Sequence, residues 1–218
     1  HFENIELRKI MEDQMFLDCF GCDIDYSLGK NFADFADQFS KDSRYRTELY
    51  KLRRKFMSHA DGLIHADLHT SNIMASRDKM KVIDMEFAFM GPFGYDLGYL
   101  VGNLISQYCA ACFKRFPSEQ NRKQFKAYLL ATIKSLIETY MKTFTLCWEK
   151  SVKERYRGQQ GLLQSILQEV MEDVPGYASM VNWFRSVSEI PYPDFDIIED
   201  KDAKRNATVL SLMIDWGI

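Results

Sequence analysis

The sequence has no apolar run approaching the roughly 20 residues that a helix needs to cross a bilayer. It also lacks an excess of charge of one sign, because the net charge is −3 and acidic and basic residues are mixed along the chain. Nucleic acid and anionic membranes select proteins with a strong one-signed field, so neither is an expected partner. These absences favour a cytoplasmic protein that binds a small molecule.

Cysteine is scarce and odd in number, with five residues in the chain. Cys19/Cys22 and Cys109/Cys112 have the C-x-x-C spacing that can mark zinc or redox chemistry. The second pair lies within an apolar run, residues 97–113, that is typical of a buried helix. We therefore expect ordinary reduced thiols there and no metal.

Apolar and aromatic residues are plentiful, at 46% and 14% of the chain, and supply the core of one domain. Residues 44–60 repeat apolar side chains at helical spacing and predict an amphipathic helix. Three short apolar runs, 63–66, 72–76 and 80–85, predict strands. The stretch 86–96 is rich in glycine, proline and aromatic residues and predicts an ordered loop.

The rest of the chain has a helical pattern. The predicted helices are Tyr95–Phe113, Glu119–Trp148, Gly161–Glu172, Tyr177–Ser188 and Asp202–Trp216. Proline and glycine predict the breaks between them, near 116–117, 157–158, 174–176 and 191–193. The predicted fold class is α+β, mostly helical, with a short β-hairpin.

Polar side chains that could bind a metal are concentrated in the two loops that join the predicted strands. A lone aspartate there would be a turn residue, and a lone histidine would be a satisfied polar group. The concentration of six such residues is harder to explain by structure alone. They are His65, Asp67, His69 and Asn72 in the first loop, and Asp84 and Glu86 in the second.

Transfer of a phosphoryl group from a nucleotide requires a carboxylate beside the attacking hydroxyl and oxygen ligands that hold magnesium against the phosphates. Asp67 follows a buried strand in a tight loop, and so fits the role of a rigidly held base. Magnesium takes one or two carboxylates from a protein and completes its shell with water and phosphate. Asn72 and Asp84 fit that role.

At this point the sequence resembles a known family. The run HADLHTSN is similar to the H-G-D-x-H-x-x-N loop of the aminoglycoside phosphotransferase and choline kinase group, and VIDMEFAFMGPFGYDLG resembles its D-x-E continuation. Within that group the resemblance, from Ala60 to Asn103, is to methylthioribose kinases. It implies that residues 1–218 form the C-terminal lobe of a protein kinase-like fold, with residues 63–96 as its catalytic and metal-binding segment, and that ATP and Mg²⁺ are cofactors.

The resemblance also implies a role for each matching residue. Asp67 would be the general base, and Asp84, Asn72 and Glu86 would bind the metal. The supporting residues would be His65, which packs the loop, His69, and Asp96, which would accept hydrogen bonds from the loop backbone at the start of the next helix.

Some positions depart from the family pattern. Ala66 and Ser71 replace glycines, so we expect a negative φ at both. Asn182 and Trp183 stand where methylthioribose kinases carry an arginine pair, and Arg185 is the nearby cation. We therefore take Trp183 and Arg185 as predicted substrate contacts, with an altered choice of sugar.

The sequence lacks the glycine-rich loop and the strand lysine that cover the phosphates of ATP in kinases. The chain begins at His1 rather than at a methionine. We therefore expect a nucleotide-covering lobe to precede it, and this chain alone to be incomplete as an enzyme.

Three functions remain open. The first is a kinase for 5-methylthioribose or a related sugar, as in methionine salvage. The second is a kinase for an amino alcohol or aminoglycoside, for which Glu172, Asp173, Glu189 and Asp194 would form an acidic pocket. The third is an inactive kinase-like binding module, which would have no need of clustered and mutually repelling carboxylates. The sequence leaves a homodimer open.

Overall fold

The computed structural model describes residues 2–17, 28–188 and 192–217. The helices are α1 (Ile5–Glu12, continued by a π-helical turn, Asp13–Leu17), α2 (Lys30–Ser40), α3 (Ser43–Ser58), α4 (Gly94–Phe113), α5 (Glu119–Ser151), α6 (Gln160–Val187), α7 (Pro193–Asp196) and α8 (Lys201–Gly217). The strands are β1 (Gly62–Ile64), β2 (Ile73–Ala75), β3 (Met80–Val82) and β4 (Phe89–Gly91). Single 3₁₀ turns lie at Thr70–Asn72 and Glu154–Tyr156.

The predicted class, α+β and mostly helical, is confirmed. Two antiparallel pairs, β1 with β4 and β2 with β3, are the sheets of the described residues. The pairing of Ile73 with Val82 closes the β2–β3 hairpin. This hairpin lies between the two loops that carry the predicted site residues, so it brings the second loop back beside the first.

The prediction of a loop at 86–96 is only partly correct, because the centre of this stretch forms β4. Gly91 lies opposite Gly62, and Phe89 lies opposite Ile64 at the other end of the pair. A Cβ at Gly62 would lie 2.7 Å from the ring of Phe93, so glycine permits a close approach there. The partner strand lies 27 residues earlier in the chain, and periodicity within 86–96 carries no signal of it.

The helix break predicted at 174–176 is wrong. Helix α6 runs without interruption through Pro175. A proline inside a helix removes one backbone hydrogen bond, but apolar residues on both sides of it are buried, Val174 in one core cluster and Tyr177 in another. Tertiary packing therefore keeps the helix continuous through a residue that locally disfavours it.

Helix α4 is the centre of the lobe, with neighbours α5, α6 and α8 around it. Glycines recur every four residues on the side facing α6. A Cβ at Gly98 would lie 2.5 Å from Cβ of Tyr177, and a Cβ at Gly102 would overlap the carbonyl oxygen of Ala178. The two helices therefore meet backbone against backbone, which only glycine at these positions allows.

Helix α3 confirms the amphipathic prediction, and its start is fixed by Asp42, whose carboxylate accepts hydrogen bonds from the N–H groups of Arg44 and Tyr45. Two basic side chains of α3 pair with acids on other helices. Arg53 forms an ion pair with the buried Glu12 of α1, and Lys55 forms one with Asp173 of α6. The helix is thus held by charge as well as by its apolar face.

Two further predictions concern cysteine and the membrane. Cys109 is buried in an apolar cluster with Phe195 and Ala207, as expected of an ordinary core thiol, and Cys112 is partly buried. Cys19 and Cys22 lie outside the described residues. Among the described helices, none combines the length and the apolarity required to cross a membrane.

The contact between α4 and α6 generates a stability prediction. Gly102→Ala should lower the free energy of unfolding by about 1–3 kcal/mol, because the added methyl group meets backbone that cannot rotate away. Urea unfolding of the chain measures this change. Gly161→Ala is the matched control, since nothing lies within 4 Å of a Cβ there, and it should leave stability equal or slightly higher. Equal stability of the two variants would contradict the close contact.

Candidate active site

Asp96, in the first turn of α4, holds the backbone of the loop that follows β1. Its two carboxylate oxygens accept hydrogen bonds from the N–H groups of His65, at 2.6 Å, and Ala66, at 2.9 Å. These are the bonds that the family resemblance led us to expect. Burial raises the pKa of Asp96, and the two N–H donors oppose that effect by favouring the charged form.

The expected negative φ at Ala66 is wrong, because the residue has φ 67°. Ser71 does not have a positive φ, as predicted. The left-handed conformation costs a residue other than glycine roughly 1–3 kcal/mol. It allows two successive N–H groups to point at one carboxylate, and such charge-assisted hydrogen bonds offset the strain.

Asp67 comes directly after this strained residue, and its carboxylate is fixed by three side chains. The hydroxyl of Tyr99 donates a hydrogen bond to Oδ1 at 2.7 Å. Nε2 of His69 lies 3.4 Å from Oδ2, and Nδ2 of Asn72 lies 3.5 Å from the same oxygen. The carboxylate retains partial exposure, with 22% of the side chain accessible. It is therefore oriented by the protein and still reachable by a ligand.

The electrostatic surroundings keep Asp67 ionised. Burial alone would raise the pKa of Asp67, but hydrogen bonds from His69 and Tyr99 outweigh it and hold the pKa below its usual value. The positive charge of Arg185 acts in the same direction. Asp67 is consequently a carboxylate at neutral pH and can accept a hydrogen bond from a substrate hydroxyl.

The same face of α4 also contacts the loop further along the chain, at Thr70. Asn103 accepts a hydrogen bond from the backbone N–H of Thr70 at 2.9 Å, and Gln107 donates to the Thr70 hydroxyl at 2.8 Å. Asp96, Tyr99 and Asn103 follow helical i, i+3, i+7 spacing, so their side chains leave one face of the helix. Successive turns of α4 thus hold successive points of the loop.

The end of β3 is tied to the same loop. The N–H of Ile83 donates to the carbonyl oxygen of Asn72 at 3.0 Å, and Nε2 of His65 lies 2.8 Å from the carbonyl oxygen of Ile83. The ring of His65 therefore bridges the two loops, which is the packing role predicted for it. Asp84 follows Ile83 directly and has φ 65°, a conformation that aspartate tolerates better than most residues.

Asp84 and Glu86 are exposed, and neither carboxylate forms a hydrogen bond or ion pair with a described residue. Asn72 donates Nδ2 to the carbonyl oxygen of Asp67 at 3.0 Å, which leaves its amide oxygen available as a ligand. Within the described ranges, no three histidine, cysteine, aspartate or glutamate side chains group closely enough to hold a metal alone. A metal that takes few protein ligands is the kind these residues fit.

Trp183 and its neighbour Asn182 are not brought to this site. Trp183 is fully buried and stacks on Phe39 with ring centroids 4.7 Å apart. Asn182 is also fully buried and donates a hydrogen bond to Asp215 of α8 at 2.8 Å. The two residues therefore belong to the core, and a substrate cannot reach them there.

Arg185, the other predicted substrate contact, lies beside the loop. It forms an ion pair with Asp194 at the start of α7, and Asp194 also accepts a hydrogen bond from Asn103 at 3.0 Å. Both charges line a cleft of about 190 Å³ that Thr70 and Lys114 also line. Burial lowers the pKa of Lys114, and the negative charge of Asp194 opposes that effect.

The acidic pocket considered for a cationic substrate is not assembled. Glu172 and Asp173 lie on α6 beside α3 and line a different cavity from Asp194. Glu189 lies outside the described residues. In the cleft beside the loop, the single described carboxylate is already paired with Arg185.

Sequence reasoning missed the side chains of α4 that hold the loop. Tyr99 is buried in the core, and its hydroxyl contacts Asp67. Asn103 and Gln107 had no predicted role. The available signal was their spacing: polar groups recur at helical intervals from Asp96 in an otherwise apolar helix.

Comparison with known proteins shows which sequences this chain is similar to. A model described as the phosphotransferase enzyme family (APH) matches residues 25–136. The methylthioribose kinase of Geobacillus sp. (strain WCH70) is 33% identical over 213 residues, 98% of this chain and 51% of the relative. That of Geobacillus thermodenitrificans (strain NG80-2) is 36% identical over 214 residues, 94% of this chain and 50% of the relative. That of Bacillus cereus (strain B4264) is 29% identical over 213 residues, 98% of this chain and 52% of the relative. The chain spans about half the length of these relatives.

The contacts of Asp67 generate a titration prediction. Tyr99→Phe should raise the pKa of Asp67, because it removes a donor to the charged carboxylate and leaves the effect of burial in place. A pH titration of the Asp67 carboxyl carbon by NMR measures the shift. Since the folded pKa lies below the unfolded one, ionised Asp67 stabilises the fold above the unfolded pKa, and this contribution is lost as the pH falls through the folded pKa. The stabilisation of the fold by ionised Asp67 should be smaller in Tyr99→Phe.

Tyr140→Phe is the matched control, because the Tyr140 hydroxyl donates to the carbonyl oxygen of Phe93, away from Asp67. The control should leave the Asp67 titration unchanged. A Tyr99→Phe midpoint equal to that of the unmodified chain would show that the hydroxyl does not stabilise the carboxylate.

Proposed function

Since a family model matches just over half of its length, this chain belongs to the phosphotransferase enzyme family, and we propose that it is the acceptor-binding and metal-binding part of an ATP-dependent small-molecule kinase. The observation that carries the proposal is the state of Asp67, an ionised carboxylate that Tyr99 orients in the loop leading into the β2–β3 hairpin. The proposed acceptor is a sugar hydroxyl, that of 5-methylthioribose or a close relative.

Asp67 is the catalytic base of this proposal. The acceptor hydroxyl donates a hydrogen bond to its carboxylate, which places the oxygen for in-line attack on the γ-phosphorus of ATP. A carboxylate with a lowered pKa is a weak proton acceptor before the P–O bond begins to form. Its first contribution is therefore to orient the acceptor hydroxyl. The proton passes to Asp67 as the new P–O bond forms and the bond to the ADP oxygen breaks.

The proposed metal ligands are Asn72 and Asp84, with Glu86 as a second carboxylate nearby. Magnesium bound there would neutralise charge on the β- and γ-phosphates during transfer. The support is chemical: the Asn72 amide oxygen and the two carboxylates are hard ligands that no described residue occupies. The hydrogen bond from the Ile83 N–H to the carbonyl oxygen of Asn72 holds the residue before Asp84 beside Asn72.

The cleft beside the loop supports a sugar over a cationic substrate. Its described charges are Lys114, Arg185 and Asp194, and the carboxylate is neutralised by Arg185. The remaining polar lining, such as Asn103 and Thr70, consists of amide and hydroxyl groups suited to hydroxyl-bearing ligands. An ammonium group would meet uncompensated positive charge there, which costs affinity.

The first test is Asp67→Asn in the longest natural form of the protein. The substitution should lower kcat for phosphoryl transfer from ATP by about 10²–10⁴-fold, because an amide cannot accept the acceptor's proton. Affinity for ATP should change by less than a factor of about two, since Asp67 orients the acceptor and not the nucleotide. Single-turnover transfer and calorimetric ATP binding with Mg²⁺ measure the two effects separately.

Asp78→Asn is the matched control, because it makes the same change at an exposed position in the turn of the β2–β3 hairpin. The control should turn over like the unmodified protein. Retained transfer by the Asp67 variant would contradict its role as the base. Absence of ATP binding by the unmodified protein with Mg²⁺ would favour an inactive binding module.

The second test is a panel of acceptors with ATP and Mg²⁺. The value of kcat/KM for 5-methylthioribose should exceed those for choline and kanamycin by at least about 100-fold, because the cationic lining rejects their ammonium groups. A coupled assay of ADP release measures all three. Preference for either amine would overturn the choice of a sugar while leaving phosphoryl transfer itself intact.

A further inference from the structure

A second and larger cavity lies between α3 and α6, with a volume of about 610 Å³. It shares no lining residue with the cleft beside the catalytic loop. Its apolar lining includes Leu49, Leu52 and Pro175, and Tyr45 and Ser179 share a hydrogen bond between their hydroxyls at 2.9 Å. Nothing in the proposed phosphoryl transfer uses this cavity.

Most charges on its walls compensate one another. Each basic side chain that lines the cavity forms an ion pair with an acid that also lines it. These pairs are Lys55 with Asp173 at 2.8 Å, Lys51 with Glu48 at 2.7 Å, and Arg44 with Asp42 at 3.6 Å. No cation on the wall is therefore available to neutralise a further acid.

Asp215, near the end of α8, is such a further acid. It lines the cavity, is 2% exposed, and forms no ion pair with a described residue. Its Oδ1 accepts a hydrogen bond from Asn182, but its Oδ2 is buried and has no hydrogen-bond partner among the described residues. A buried carboxylate oxygen without a partner is costly and requires an explanation.

The Asn182 amide cannot supply what is missing. Its Nδ2 donates to Asp215 and to the carbonyl oxygen of Ser211, and its Oδ1 accepts from the hydroxyls of Ser106 and Ser211 at 2.6 Å each. The amide is saturated by these bonds. No described residue thus supplies a partner for Asp215 Oδ2, and a ligand in the cavity that Asp215 lines could do so.

We propose that this cavity is a binding site for an organic ammonium ion, whose charged group pairs with Asp215 and whose apolar body packs against Leu49, Leu52 and Pro175. A metal ion fits less well, because Asp215 is a single carboxylate and no group of three metal-binding side chains occurs among the described residues. The site lies apart from the catalytic loop, and so it extends the proposed function without depending on it.

The protonation of Asp215 is consistent with this site. Burial raises the pKa of Asp215 well above its usual value, and the hydrogen bond from Asn182 only partly opposes that effect. Without a cationic partner, burial therefore favours the neutral form of the side chain. An ammonium group beside it would favour the ionised form again.

The test uses the unmodified chain and three ligands of one shape. Phenethylamine is cationic at neutral pH, 2-phenylethanol is its neutral isostere, and 3-phenylpropionate carries the opposite charge. Calorimetric titration should give phenethylamine a Kd below about 1 mM and at least tenfold tighter binding than either of the others. Equal binding of the three, or no binding of phenethylamine, would overturn the proposal.

Asp215→Asn should weaken phenethylamine binding at least tenfold, because the amide keeps the size of the side chain and removes its charge. Asp202→Asn is the matched control: it makes the same change at an exposed position at the opposite end of α8, and it should bind like the unmodified chain. Circular dichroism verifies that both variants fold. Unchanged binding by a folded Asp215→Asn chain would overturn the role of Asp215, and if that variant does not fold, the comparison of the three ligands still decides.

Discussion

The geometry of the site depends on α4, whose successive turns hold the loop that follows β1. Asp96 binds the backbone of His65 and Ala66, Tyr99 binds the carboxylate of Asp67, and Asn103 binds the backbone of Thr70. A loop by itself would leave these polar groups to water and the carboxylate to many orientations. Because the donors and acceptors leave a buried helix at helical spacing, the geometry of the loop follows from the geometry of α4.

Three aspartates near this loop have different roles because their surroundings differ. Asp96 is buried and accepts two backbone N–H groups, so it serves the fold. Asp67 is partly accessible and stabilised in its charged form, so it can accept a proton from a ligand. Asp84 is exposed and has no partner among the described residues, which suits a ligand for a cation. Similar divisions between carboxylates underlie much acid–base and metal chemistry.

Local pattern predicted helices α3, α4, α5 and α8 and the motif that contains Asp67, Asp84 and Asp96, because helical periodicity and a contiguous motif are both properties of neighbouring residues. Features that depend on distant partners were not predictable in this way. Strand β4 exists because β1 lies beside it, and α6 passes through Pro175 because buried contacts continue on either side. The positive φ of Ala66 follows from an acceptor some thirty residues later in the chain, at Asp96.

The glycine contact between α4 and α6 has a mechanical consequence. Side chains between two helices can change rotamer and absorb a small displacement, but backbone against backbone at Gly98 and Gly102 has no such slack. The contact at these two positions therefore resists small displacements of one helix against the other. The strand residues of the β2–β3 hairpin are largely exposed, so the loop held by α4 is packed more tightly than the hairpin that precedes Asp84.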